Sequence, residues 1–144
     1  MSIKRAIMDG FIWPVRVYYE DTDAGGVVYH AAYLRFMERA RTEWLRELGF
    51  EQDTLREQGF LFAVKRIQVD FHRPARFNQL LRVHSAIGQL GRASMTFLQD
   101  IVSDGQCLCR GEVQVVCLDA SGFRPVALPG ALASTLKEEL SRVG

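Results

Sequence analysis

One stretch of the chain, Val17-Tyr-Tyr-Glu-Asp-Thr-Asp-Ala-Gly-Gly-Val-Val-Tyr-His-Ala-Ala-Tyr33, gathers side chains that can do chemistry into a single short loop. A carboxylate there, Asp21 or Asp23, can attack an activated carbonyl directly or take a proton from the water that does so. The loop leads into a helix, whose first amides have no partners inside it and carry the positive end of its dipole. A carbonyl oxygen docked on them is stabilised as it gains negative charge. Gly25 and Gly26 let a substrate come close to the main chain. His30, one residue after Tyr29, stands where its backbone amide can donate to that oxygen while its ring faces the loop. The same residue types also make Asx turns and helix caps, so composition alone leaves the role of the acids open.

Spacing excludes other chemistries. Asp-Thr-Asp-Ala-Gly-Gly starts like an EF-hand calcium loop, but the twelfth position from Asp21, which must be a bidentate glutamate, is Ala32. Neither glycine-rich phosphate motif occurs, and no serine or cysteine sits in a Gly-x-Ser-x-Gly elbow. Cys107, Cys109 and Cys117 have no histidine or second cysteine pair at zinc spacing. They read as small packed hydrophobes in a reducing cytoplasm, and neither metal nor cofactor is expected. His72 and His84 fall on polar faces of strands and read as surface or interface residues.

The elements that must hold this loop follow from periodicity. Trp13–Tyr19 alternates and is rich in β-formers, which predicts a first strand with Pro14 confined to its start. From about Val28 to Leu48 the apolar positions shift to helical spacing, with Tyr33, Phe36, Met37, Ala40, Trp44 and Leu48 on one face. Arg35, Glu38, Arg39, Glu43, Arg46 and Glu47 fall on the other face, where Arg39 and Glu43 can pair, and Gly49 suits the residue that ends a helix. A short helix over Gln52–Gln58 precedes four antiparallel strands between Leu61 and Leu118, the third joined to the fourth by a Ser103-Asp-Gly105 hairpin signal. Leu132, Leu136 and Leu140 mark a last helix over Ala131–Arg142. The class is α+β. One long helix cannot cover both faces of a five-stranded sheet, and bare edges invite pairing, so at least a homodimer with a continuous sheet is expected.

Length and composition agree. The 144 residues, 48% of them apolar, suit one domain over 1–144. With 18 Lys and Arg against 17 Asp and Glu, nothing points to nucleic acid or an anionic membrane. No apolar run reaches the roughly 20 residues of a membrane span, and Met1–Met8 is not followed by the apolar core of an export signal. A cytoplasmic location is expected.

Tyr19-Glu-Asp-Thr-Asp-Ala-Gly-Gly-Val-Val-Tyr-His30, followed by Tyr33, Phe36 and Arg39-Ala-Arg41-Thr-Glu43, resembles the 4-hydroxybenzoyl-CoA thioesterase family, and within it the YbgC branch of acyl-CoA thioesterases associated with the bacterial Tol-Pal system. Phe71-His-Arg-Pro-Ala-Arg76 and Val113-Gln-Val-Val-Cys-Leu-Asp119 extend the likeness over nearly the whole chain. The resemblance implies a hotdog fold, a five-stranded antiparallel sheet wrapped around the long helix with a short C-terminal helix added, and active sites at a dimer interface. It implies that Asp23 is the catalytic carboxylate of an acyl-CoA hydrolase, with Tyr19 and His30 as auxiliary positions and a helix-start amide near His30 for the oxyanion. Gly25, Gly26, Val27, Val28 and Tyr29 would line the substrate, with Phe62 a further acyl-pocket residue. Arg73, Arg76 and Arg92 are candidates for the phosphates of coenzyme A. Glu43 reads as a structural ion-pair partner, although another hotdog branch uses a helix acid in catalysis. An acyl carrier protein is a further partner to consider, and a homotetramer of two dimers is expected from the family. Rival readings are a 3-hydroxyacyl dehydratase on the same fold and a non-catalytic scaffold or carrier-protein partner in envelope or phospholipid metabolism.

Overall fold

The computed structural model describes residues 10–143, without the side chains of residues 142 and 143. The expectation about Met1–Met8 lies outside the described residues. In chain order the elements are β1 (Phe11–Arg16), a single 3-10 turn (Tyr19–Asp21), α1 (His30–Glu47), α2 (Gln52–Glu57), β2 (Phe60–Phe71), β3 (Leu80–Leu90), β4 (Ser94–Ser103), β5 (Gln106–Asp119) and α3 (Gly130–Val143). The five strands form one antiparallel sheet in the order β1-β3-β4-β5-β2.

β3, β4 and β5 are neighbours along the chain and pair as neighbours, through a hairpin whose Asp104 and Gly105 both have positive φ, 50° and 75°. That is the backbone of the tight turn that matches strand twist. β2, in contrast, crosses to the far edge and pairs with β5, Phe62 opposite Cys117 and Phe71 opposite Cys109. The sheet therefore ends in β1 on one side and β2 on the other.

α1 lies on one face of the sheet. Of the face read from periodicity, Tyr33, Phe36, Met37, Ala40 and Trp44 are buried, against Val83, Phe97, Ile101 and Val113 among others, and Leu48, at the C-cap, is half-buried. Each large apolar side chain so buried contributes about 1.5–3 kcal/mol of transfer free energy. Gly111 sits beneath the helix: a Cβ there would stand 2.8 Å from Met37 Cε, so any larger residue requires the flexible end of Met37 to shift. α3 packs along β3 and buries Leu132 and Leu136 completely.

Three sequence expectations are corrected. The first strand ends at Arg16 rather than Tyr19, because the carboxylate of Asp21 takes the Tyr18 N–H at 2.8 Å and turns the chain into the 3-10 turn. The long helix begins at His30 rather than Val28, because Val27 and Val28 are held as β-bridges to Arg76 and Thr22, and the Val28 N–H donates to the Ala75 carbonyl at 2.8 Å. Glu43 pairs with Arg46 rather than Arg39, and Arg46 also reaches Glu51, where Phe50 has already turned the chain back.

Candidate active site

The loop between β1 and α1 is closed on itself by four main-chain contacts. Asp23 N–H donates to the Val27 carbonyl at 2.9 Å, Gly26 N–H to the Asp23 carbonyl at 3.1 Å, and Tyr29 N–H to the Asp21 carbonyl at 2.8 Å, while Thr22 bridges Val28. Gly26 takes φ +80°, a conformation that costs other residues strain. The result is a tight turn over Asp23–Val27 whose two ends arrive together at the start of α1.

The loop separates its two acids. Asp21 is only 5% exposed, and its Oδ2 is committed to the Tyr18 N–H. Asp23 is exposed; its Oδ1 accepts the Gly25 N–H at 2.8 Å, and Oδ2 has no hydrogen bond among the described residues. One carboxylate builds the loop, and the other is presented by it with an oxygen to spare.

The start of α1 is equally uncommitted. Tyr29, at the N-cap, makes no side-chain capping bond, and the first turn carries no acidic residue. The Ala32 N–H folds back on the Tyr29 carbonyl at 2.8 Å, while the N–H groups of His30 and Ala31 have no acceptor among the described residues. Two aligned donors at the positive end of an 18-residue helix suit a developing oxyanion. His30 is exposed, with its ring 4.4 Å from that of Tyr29.

The turn is anchored from below by residues whose role was not legible from the sequence. The Tyr33 hydroxyl accepts the Ala75 N–H at 3.0 Å, and the Ala75 carbonyl accepts the Val28 N–H, so the β2–β3 connection clamps both α1 and the loop. Tyr33 is buried, and burial leads the causes that push its phenol pKa up, with the charge of Asp23 a smaller contribution in the same direction. Phe77 is the other unanticipated neighbour: its ring meets Tyr19 edge-on at 5.5 Å, and the pair makes an exposed aromatic wall beside the loop.

The arginines divide. Arg73 and Arg76 belong to the β2–β3 connection that pairs with the loop, and both line an open cavity of about 500 Å³ with Phe77, Gln79 and Gln106. Arg92 lies in the β3–β4 turn at the opposite end of the sheet, some 33 Å away at about 3.3 Å per residue along β3. Phe62 is also remote from the loop and lines a different cavity, beside Arg41. Val28 is buried in the core and Val27 half-buried, so of the expected apolar lining only Val27 and Tyr29 reach the surface of the loop.

The comparisons with known proteins match this architecture. Residues 17–136 fit the model of the thioesterase-like superfamily. An acyl-CoA thioesterase YbgC of Haemophilus influenzae is 48% identical over 122 residues, which cover 84% of this chain and 90% of that protein. This chain belongs to the YbgC group of that superfamily. The acyl-CoA thioester hydrolase YbgC of an Escherichia coli strain is 45% identical over 129 residues, covering 89% of this chain and 96% of that protein. The crystal structure of a probable thioesterase from Bartonella henselae superposes with a TM-score of 0.77 at 36% identity, over 82% of this chain and 98% of that one. The five-stranded antiparallel sheet wrapped around α1 is the hotdog fold of this thioesterase family. No helix of the described residues is long and apolar enough to cross a membrane.

Proposed function

We propose that this thioesterase hydrolyses acyl-coenzyme A to a free carboxylic acid and coenzyme A, with Asp23 as its central catalytic residue. The observation that carries the reading is the pairing, in one turn, of an exposed carboxylate holding a spare oxygen with two uncommitted helix-start N–H groups. The thioester carbonyl oxygen docks on the His30 and Ala31 amides, which stabilise it as it becomes an oxyanion. Asp23 then follows one of two routes. As nucleophile it attacks the carbonyl carbon, expels the CoA thiolate and forms a mixed anhydride that water cleaves. As general base it takes a proton from the water that attacks. Both routes end in acid, thiol and regenerated carboxylate.

Tyr19 and His30 flank the reacting atoms in this reading, and Gly25 and Gly26 leave the main chain open to the substrate. Arg73 and Arg76 take phosphates of the nucleotide in the adjoining cavity; Arg92 joins them only if a second copy brings it there. Support for a second copy comes from β2, an edge strand that leaves Val64, Ile67 and Phe71 about half exposed. Pairing of β2 with its counterpart would make one continuous sheet, and two such dimers a tetramer. We further infer one domain over residues 1–144 that acts in the cytoplasm beside the Tol-Pal system, with acyl carrier protein as the alternative thiol carrier to coenzyme A. The test is thiol release from a panel of acyl-CoAs, short to long chain plus a benzoyl substrate. Release from at least one supports hydrolysis and ranks the chains, whereas folded protein that releases thiol from none contradicts it.

A further inference from the structure

The two halves of the site hang on one buried residue. Ala75, fully buried in the β2–β3 connection, uses both of its main-chain groups on the loop and the helix. Its carbonyl accepts the Val28 N–H at 2.8 Å, and Val28 closes the turn that presents Asp23, because the Asp23 N–H is held by the neighbouring Val27 carbonyl. Its N–H goes to the Tyr33 hydroxyl at 3.0 Å, and Tyr33 stands in the first turns of α1, behind the free His30 and Ala31 amides. The carboxylate and the oxyanion donors are therefore referred to the same peptide unit.

That unit is a firm reference. Pro74 precedes it with a restricted φ. Arg76 follows it, its main chain bridged to Val27 and its N–H donated to Gln79 Oε1 at 3.0 Å, while Gln79 Nε2 donates to Ser103 Oγ on β4 at 2.9 Å. The helix end of the link depends on a single oxygen. Tyr29 gives no side-chain cap, and Ala31 and Ala32 carry no group that could reach outside the helix, so the Tyr33 hydroxyl is the side-chain tie between the start of α1 and this connection. Tyr33 follows His30 by three residues, about 4.5 Å along the axis at 1.5 Å per residue, close enough that a shift at one is carried rigidly to the other. Its ring is fixed independently of the hydroxyl, edge-on to Phe36 at 6.3 Å and to Phe71 at 5.4 Å. Packing thus accounts for an aromatic ring here, and the oxygen adds the tie.

We propose that Tyr33 is a positioning residue for hydrolysis: through Ala75 its hydroxyl sets the separation between the Asp23 carboxylate and the His30 and Ala31 amides, so that one thioester carbonyl meets both at once. The inference rests on the reading of those groups given above. Tyr33 itself does not touch the reacting atoms.

Tyr33→Phe keeps the ring and removes the oxygen. On the acyl-CoA that wild type cleaves fastest it should lower kcat by about tenfold while KM stays within about twofold, the split expected when alignment in the transition state is lost. Leu136→Val, which takes a methylene from the fully buried face of α3, is the control for lost stability and should keep kcat within about twofold although it too lowers the melting midpoint. Because Tyr33→Phe leaves the Ala75 N–H without an acceptor, a second perturbation removes that donor instead: lactic acid in place of Ala75 makes an ester with no N–H, and should reproduce the tenfold loss. Wild-type kcat in folded Tyr33→Phe or in the ester protein, a loss confined to KM, or an equal fall of kcat in Leu136→Val would overturn the proposal. Asp23→Asn, assayed in parallel, keeps the two readings apart. Its turnover at the wild-type rate would overturn the reading of Asp23 and the separation set by Tyr33 with it, whereas a loss of about a hundredfold there beside wild-type kcat in Tyr33→Phe would overturn the role of Tyr33 alone.

Discussion

Replacing Asp21 separates the acid that builds the loop from the acid that it presents. Asp21 Oδ2 accepts the Tyr18 N–H at 2.8 Å from a position only 5% exposed, and this bond turns the chain out of β1 into the loop that precedes α1. Hydrogen bonds to charged groups contribute about 1.5–3 kcal/mol, and removing one partner leaves the other short of an acceptor. Asp21→Ala should therefore cost about 2 kcal/mol, and Asp21→Asn, which keeps an acceptor oxygen but loses the charge, about 1 kcal/mol. In a chain of this length about 1 kcal/mol moves the melting midpoint by roughly 3–4 °C, so the two variants should melt roughly 7 °C and 3–4 °C below wild type. Thermal and urea denaturation followed by circular dichroism read the loss, and thiol release on the best acyl-CoA reads turnover. Folded Asp21→Asn should keep kcat within about fivefold of wild type, because its carboxylate does not touch the reacting atoms. An unchanged midpoint with turnover down about a hundredfold would refute the reasoning and make Asp21 the reacting acid.

Gly26→Ala should cost about 1–2 kcal/mol through its φ of +80° alone, since a Cβ there meets nothing within 4 Å, and it should lower turnover as well. Gly105→Ala, at φ +75° in the β4–β5 hairpin, should cost a similar amount with turnover unchanged; equal kinetic effects in the two variants would count against the loop as the site. His84 is held below its ordinary pKa of 6.5 chiefly by burial, with Asp100 opposing and Arg82 assisting. The unfolded chain then binds the proton more tightly, so stability should rise with pH up to about 6.5 and level off above it, and His84→Gln should flatten that slope in urea midpoints taken from about pH 5 to about pH 7.5. Burial pushes the Cys109 thiol up to about 12 and raises that of Cys117. A thiol reagent at about pH 8 should accordingly label no more than one of the three cysteines in the native protein and all three after denaturation.

How much of this was legible in the sequence follows the range of the interaction concerned. The buried face of α1 and the Ser103–Gly105 hairpin are written locally, in a 3.6-residue period and a turn that needs positive φ, and both stand where the sequence puts them. The place of β2 depends on its register against β5, a pairing that no local pattern contains. Arg41 illustrates the same limit: nothing beside it marks it as buried, because the acceptor that makes its burial tolerable, Gln99, lies 58 residues further on. In the loop, the acids, glycines and His30 were legible as a cluster. Their division of labour was legible only through the family resemblance, which singles out Asp23, since in the fold it rests on one hydrogen bond to Tyr18 and on an anchor at Ala75 supplied from the β2–β3 connection.

The most direct test of the central claim is Asp23→Asn, assayed beside wild type for thiol release on the acyl-CoA that wild type cleaves fastest. The substitution keeps the shape of an exposed side chain, so stability should change by no more than about 0.5 kcal/mol. kcat should fall by about a hundredfold or more, equivalent to about 2.7 kcal/mol of lost transition-state stabilisation. A folded Asp23→Asn protein that turns over within a few-fold of wild type would contradict the assignment of Asp23 as the catalytic acid.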